Sequence, residues 1–208
     1  MNIKPSNRIK NLGSYAFADV DTEVEKLKKQ GITPIDFGVG DPTTPTPELV
    51  REAAKKAIDK HKSSGYPSYI GSLDYRRAVA DWYKKRFNVK LDPEKEIVSN
   101  IGSKEGVFNF PEAFVNPGDY VLVPNPGYPP YERGALFAEG KVYYMNLLEE
   151  NNFFPDLNSI PAEIVKKAKI LWINYPNSPT GKVATDEFFK RVIDFGHKNN
   201  IIIASDEA

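Results

Sequence analysis

The chain contains no cysteine. That absence excludes disulfides, thiolate metal sites and a cysteine nucleophile. Histidine is nearly absent too: His61 and His197 each stand among lysines on segments of helical pattern, as exposed helix residues do. There is no net charge, because 28 acidic residues balance 28 basic ones. No long-range field therefore favours nucleic acid or an anionic membrane as a partner. No apolar run approaches the length of a membrane span, and the opening, MNIKPSNRIKNLG, lacks the apolar core of a signal peptide. The expectation is a soluble, cytoplasmic chain. Internal repeats, low-complexity tracts and flexible linkers are also missing.

What is present is a core and a rhythm. Apolar residues make up 40% of the 208 positions, enough for one large domain or a domain plus part of another. After a polar arm over 1–20, Asp21 reads as the N-cap of a helix to Lys29 that Gly31 stops. TPIDFGV reads as a strand running into the proline-rich GDPTTPTP. Pro47 opens a helix to about Lys62. Leu73, Val79, Trp82, Tyr83 and Phe87 recur at helical spacing. From there the pattern alternates. EIVSN, YVLVP, KVYYMNL, KILWIN and IIIAS read as strands; helices are predicted over 104–115, 128–137, 159–167 and, capped by Thr185, to Lys198. Near-continuous apolar strands alternating with helices predict an α/β three-layer sandwich with a mostly parallel sheet. In such sheets ligands bind at the carboxyl ends of the strands.

Four segments at those ends carry candidate chemistry. IGSKEG follows EIVSN with small residues and then a helix, so that backbone N–H groups of Gly102, Ser103 and Lys104 form an anion cup. Many strand-to-helix turns look alike, and the spacing is not that of a Walker loop. NPGYPPY follows YVLVP; its three prolines stiffen a loop that holds Tyr128 and Tyr131 at the top of the sheet, to stack on a flat ligand or to pack beneath the loop. YPNSPTGK is a stiff turn bearing Asn177. Asp206 ends an apolar strand, where burying an acid costs several kcal/mol unless a cation or donors meet it. The four together fit a flat, cationic, phosphorylated heterocycle. Pyridoxal 5′-phosphate meets these demands, with its phosphate at Gly102–Lys104, its ring on Tyr128 and its protonated nitrogen on Asp206.

FGVGDP, GYPSYIGSLDYR, SNIGSKEGVFN, NPGDYVLVPNPGYPPY, NYPNSPTGK and IIIASDEA together resemble the class I/II aminotransferases, pyridoxal-phosphate enzymes of fold type I. The likeness runs through essentially the whole chain in order, and GSYAFADV with FGVGDPTTPTP looks most like the LL-diaminopimelate aminotransferase branch. The resemblance implies that Ser103 and Lys104 bind phosphate, that Tyr128 stacks on the pyridine and that Asp206 pairs with its nitrogen. It also implies that Tyr66 reaches the cofactor phosphate of a neighbouring subunit in a homodimer, and that Gly40 and Tyr15 lie near the substrate carboxylate.

One position departs from the pattern. The family usually has Asn directly before Pro-Thr-Gly, donating to the cofactor's phenolic oxygen; here that slot is Ser178, with Asn177 one residue earlier, and both readings stand. The Schiff-base lysine of the family follows the aspartate, and no residue of this chain matches it. Lys104 precedes the aspartate and belongs to the phosphate loop. The expectation is therefore an arm and part of a small domain over 1–40, and the amino-terminal part of a cofactor domain over 41–208. The carboxyl-terminal remainder would lie outside it, and these 208 residues alone would be inactive. The implied reaction transfers an amino group from an amino acid to a 2-oxo acid. Alternatives are a regulatory cofactor-binding module, a pseudoenzyme, or a lyase or synthase of the same fold. An ATPase reading of IIIASDEA lacks its phosphate-binding lysine loop.

Overall fold

The structure, a computed structural model, describes residues 3–10, 16–35 and 43–207. The chain divides into two compact units, Met1–Ser99 and Asn100–Ala208. The expected domain boundary at residue 40 lies outside the described residues.

The first unit carries helices α1 (Asn7–Lys10), α2 (Ala16–Lys29), α3 (Glu48–Lys60) and α4 (Leu73–Phe87). Helix α2 begins before Asp21, which sits inside it rather than capping it. Lysines 26, 28 and 29 crowd its last turn, where cations favour the helix dipole. Helix α4 has the predicted bounds, and local chemistry explains them. The Ser72 hydroxyl accepts from the N–H of Tyr75 at 3.2 Å, and Asn88 leaves the helix at φ 56°. Arg76 is buried on α4 and donates to the carbonyls of Gly71, at 3.3 Å, and Pro93. EIVSN does not form a strand. Glu96 closes a turn on Asp92, the N–H of Ser99 reaches the carbonyl of Ile70 at 3.2 Å, and Val98 is exposed. The expected strand TPIDFGV is irregular over 33–35, and its remainder lies outside the described residues.

The second unit runs α5 (Ser103–Asn109), a 3-10 turn (Phe110–Ala113), β1 (Tyr120–Asn125), α6 (Pro129–Phe137) and β2 (Lys141–Asn146). After two short 3-10 turns come α7 (Ala162–Val165), β3 (Ala168–Ile173), α8 (Asp186–Asn199) and β4 (Ile202–Ser205). The helix expected over 104–115 breaks where Pro111 removes a backbone donor. The one expected over 159–167 shrinks to a single turn behind Pro161. Among the described residues the strand pairs are all parallel, in the order β2-β1-β3-β4.

Alternation along the two central strands builds the layers. Val121, Val123, Ile170 and Trp172 face one way and pack with Val107, Tyr131 and Ala135 from α5 and α6. Leu122, Leu171 and Ile173 face the other way and pack with Phe188 and Val192 of α8. Period-2 burial on both faces is the mark of a strand covered on both sides. Glycine at 134 lets α6 approach α5: a Cβ there would come within 2.4 Å of the Phe108 carbonyl oxygen. The sheet order has a further result. The connection from β1 leads outward to β2 and that from β3 leads outward to β4, so the loops after these adjacent strands part from each other. Such a switch point opens a crevice at the strands' carboxyl ends.

Candidate cofactor site

The crevice is furnished from three strand ends. Beyond β4, the Asp206 N–H donates to the Ile173 carbonyl at 2.9 Å, and the Asp206 carbonyl accepts from Asn174 Nδ2 at 2.7 Å. The half-buried carboxylate accepts from the Tyr131 hydroxyl at 2.7 Å through Oδ2. No other side chain among the described residues bonds this carboxylate.

Beyond β1, Pro129 and Pro130 occupy the first positions of α6, where a missing N–H costs nothing. They set Tyr128 at the N-cap and Tyr131 one turn on. The two rings meet edge to face, 5.7 Å apart. Tyr131 is 1% exposed and lies parallel to Trp172 at 4.8 Å, whereas Tyr128 keeps 39% of its surface open. Burial pushes the Tyr131 phenol far above its ordinary value, and the bond to Asp206 and its negative charge push it further. Tyr131 is thus a permanent donor near neutral pH. The buried indole N–H of Trp172 has no partner among the described residues, and its ring face carries the Tyr131 stack.

Helix α5 starts at Ser103 behind Gly102, whose φ of 79° favours glycine although a Cβ there would meet nothing within 4 Å. Glu105 folds back to accept from the Ile101 N–H at 2.6 Å. Ser103 and Lys104 are exposed, and Lys104 Nζ lies 6.0 Å from the Tyr128 ring centroid. Beyond β3, Asn177 is buried. Its Oδ1 accepts from the Thr180 hydroxyl at 2.7 Å and its Nδ2 donates to the Asn174 carbonyl at 3.3 Å, while Ser178 is exposed.

Five of the second-unit residues expected at the site gather in two linked groups, and Gly102 and Ser103 open the helix that carries Lys104. Tyr128 connects to Asp206 through Tyr131 and has Lys104 beside its ring; Asn177 and Ser178 connect to Asp206 through Asn174, whose Oδ1 accepts from the Ser178 N–H at 3.2 Å. Tyr66 is fully exposed on the loop after α3 in the first unit. Tyr15 and Gly40 lie outside the described residues. Sequence reasoning placed Tyr131 at the top of the sheet but missed its bond to the acid, and it missed Asn174 altogether. The available signal was the spacing of Tyr128 and Tyr131, one helical turn apart at a strand end. A groove of about 560 Å³ between the 150–158 segment and α8 shares none of these residues.

The donor set fits pyridoxal 5′-phosphate: an open aromatic face, an acid with one oxygen tied and the other without a bonded partner among the described residues, and exposed donors around Gly102. Comparison with known proteins agrees. The sequence model of the family "Aminotransferase class I and II" matches residues 32–208, and the chain belongs to that family, whose cofactor is pyridoxal 5′-phosphate. It is 55% identical over 203 residues to an LL-diaminopimelate aminotransferase of Aquifex aeolicus and 49% identical to one of Halothermothrix orenii, covering 98% of this chain and 52% of each relative. Among solved structures, apo-BacF of Bacillus subtilis superposes with a TM-score of 0.91 at 37% identity, over 99% of this chain and 52% of that one. A mutant aspartate aminotransferase of Thermus thermophilus gives 0.90 at 30% identity, over 99% and 53%. The chain spans about half the length of the curated relatives it matches.

Proposed function

We propose that this chain supplies the cofactor-binding part of an enzyme that moves an amino group from an amino acid to a 2-oxo acid. The observation that carries this reading is the linkage of an open aromatic face to an acid at the switch point: Tyr128 against Tyr131, and Tyr131 bonded to Asp206. When bound, the cofactor supplies an aldehyde that carries the amino group and an electron-withdrawing protonated ring. Part of the binding falls to this chain's own residues. Asp206 holds the proton at the ring nitrogen, Tyr128 packs on the ring, and Gly102, Ser103 and Lys104 hold the phosphate. The Asn177 amide is buried in its own turn, with Oδ1 accepting from Thr180 and one Nδ2 hydrogen given to the Asn174 carbonyl. The exposed Ser178, in the slot directly before Pro-Thr-Gly, is the donor we assign to the phenolic oxygen, supported by its exposure beside the buried Asn177. Tyr66, fully exposed, reaches the phosphate of a partner copy in a cytoplasmic homodimer, and Tyr15 and Gly40 border the substrate carboxylate.

The relatives' names make LL-diaminopimelate the first amino donor to test, with a panel of 2-oxo acids as acceptors, in a protein joining this chain to the further half that the relatives possess. Asp206→Ala there is expected to cut turnover by orders of magnitude, since loss of the ring proton removes the electron sink. Near-normal turnover would refute the role of Asp206.

A further inference from the structure

We propose that Tyr131 is a positioning residue for Asp206, holding Oδ2 so that the second carboxylate oxygen is presented to the cofactor's ring nitrogen. This rests on the cofactor reading above. The main chain of Asp206 is already fixed at both ends, by the Ile173 carbonyl and the Asn174 amide. What those bonds leave free is rotation of the carboxylate about its own side-chain torsions. The Tyr131 hydroxyl removes that freedom from 75 positions away, at 2.7 Å. The phenol is itself immobile, because its ring is almost fully buried and stacked on Trp172. A hydroxyl with this burial needs an acceptor, and a backbone carbonyl would serve the fold equally well. Here it is spent on the acid, and its desolvated environment keeps it a donor rather than an anion. A group held to one orientation gives a stronger charge-assisted contact to a ligand than one that must be ordered on binding.

The test uses the 208-residue chain and pyridoxamine 5′-phosphate, which has no aldehyde to react with surface lysines. Affinity is read from quenching of protein fluorescence, and ring-nitrogen protonation from the pH dependence of the bound probe's absorbance. Parent, Tyr131→Phe, Asp206→Asn and the double variant are compared. Tyr131→Phe keeps the stack on Trp172 and removes only the donor. It is expected to weaken binding about tenfold and to lower the ring-nitrogen titration by about one pH unit, the two readouts matching because only the protonated ring meets the acid. With Asn at 206, the same change should move neither. If the parent fails to bind, or Asp206→Asn binds and titrates like the parent, the cofactor reading falls and the proposal with it. If Asp206→Asn loses affinity while Tyr131→Phe matches the parent, or if the two losses simply add, the cofactor reading stands and the positioning role is overturned. Should Tyr131→Phe lose the parent's near-ultraviolet circular dichroism, 4-aminophenylalanine at 131 replaces it. This weaker donor is expected to give an intermediate shift, and the absence of any shift overturns the proposal.

Discussion

Tyr175 offers a measurement of burial at a single oxygen. It follows β3 by two residues, is 6% exposed, and its hydroxyl donates to the Phe153 carbonyl at 2.9 Å. Phe153 sits at φ 57°, an uncommon conformation for a bulky residue, and this hydrogen bond helps hold it there. At neutral pH, Tyr175→Phe removes one neutral hydrogen bond and is expected to cost about 1 kcal/mol. Alkaline pH changes the comparison. Desolvation raises the folded Tyr175 phenol well above the ordinary 10.0, which the unfolded chain retains. The Tyr175 contribution is therefore complete below pH 10 and declines as pH rises towards the folded value. By about pH 11 the unfolded phenol is roughly nine-tenths ionised while the folded one remains neutral, which costs the parent about 1.4 kcal/mol that the Phe variant escapes. The penalty of Tyr175→Phe should thus shrink from about 1 kcal/mol near pH 8 to nothing, or reverse slightly, near pH 11. Urea unfolding of both proteins at a series of pH values, with the difference taken at each, isolates this residue from the other tyrosines. A difference that stays constant across that range would refute the reasoning, because it would mean that the folded phenol titrates like the unfolded one.

Two further expectations use the same structure. Tyr128→Ala should weaken noncovalent pyridoxal 5′-phosphate binding by about 1–3 kcal/mol, the range of a lost aromatic stack, and unchanged affinity in equilibrium dialysis would exclude stacking at this ring. Gly134→Ala forces a Cβ to within 2.4 Å of the Phe108 carbonyl oxygen, so α5 and α6 must separate. The expected loss is about 1–3 kcal/mol in chemical denaturation, and an unaltered midpoint would show that the helices are not in close contact there.

Where one physical signal dominated, the sequence could be read directly. The bounds of α4 follow from a hydroxyl at Ser72 and a left-handed Asn88, and Thr185 caps α8 by accepting from the Phe188 N–H at 3.2 Å. The apolar strands YVLVP and KILWIN carry their alternation in residue type, although assigning each face required knowing that Phe188 lay on one side and Tyr131 on the other. EIVSN misled because β-branched residues suit a strand but do not supply a partner, and pairing is what makes one. Pro111 and Pro161 shorten the flanking helices, because each removes a backbone donor that apolar periodicity does not register. Residue types singled out Asp206 and Tyr128 as candidates. The bond between Tyr131 and Asp206 was not legible, because contacts across 75 positions depend on strand order, which neither periodicity nor local propensity encodes.

That separation also has a kinetic side. The hydroxyl of Tyr131 can meet Asp206 only after β1, β3 and β4 lie side by side, since α6 follows β1 and the acid follows β4. The loop to be closed is long, and long-range pairing forms slowly compared with the helices within it. Throughout the period before β4 docks, the acid has no Tyr131 hydroxyl to anchor it. A solvent or temperature change that delays docking of β4 prolongs that period. Recovery of ligand binding on refolding is therefore expected to follow docking of β4, not to precede it.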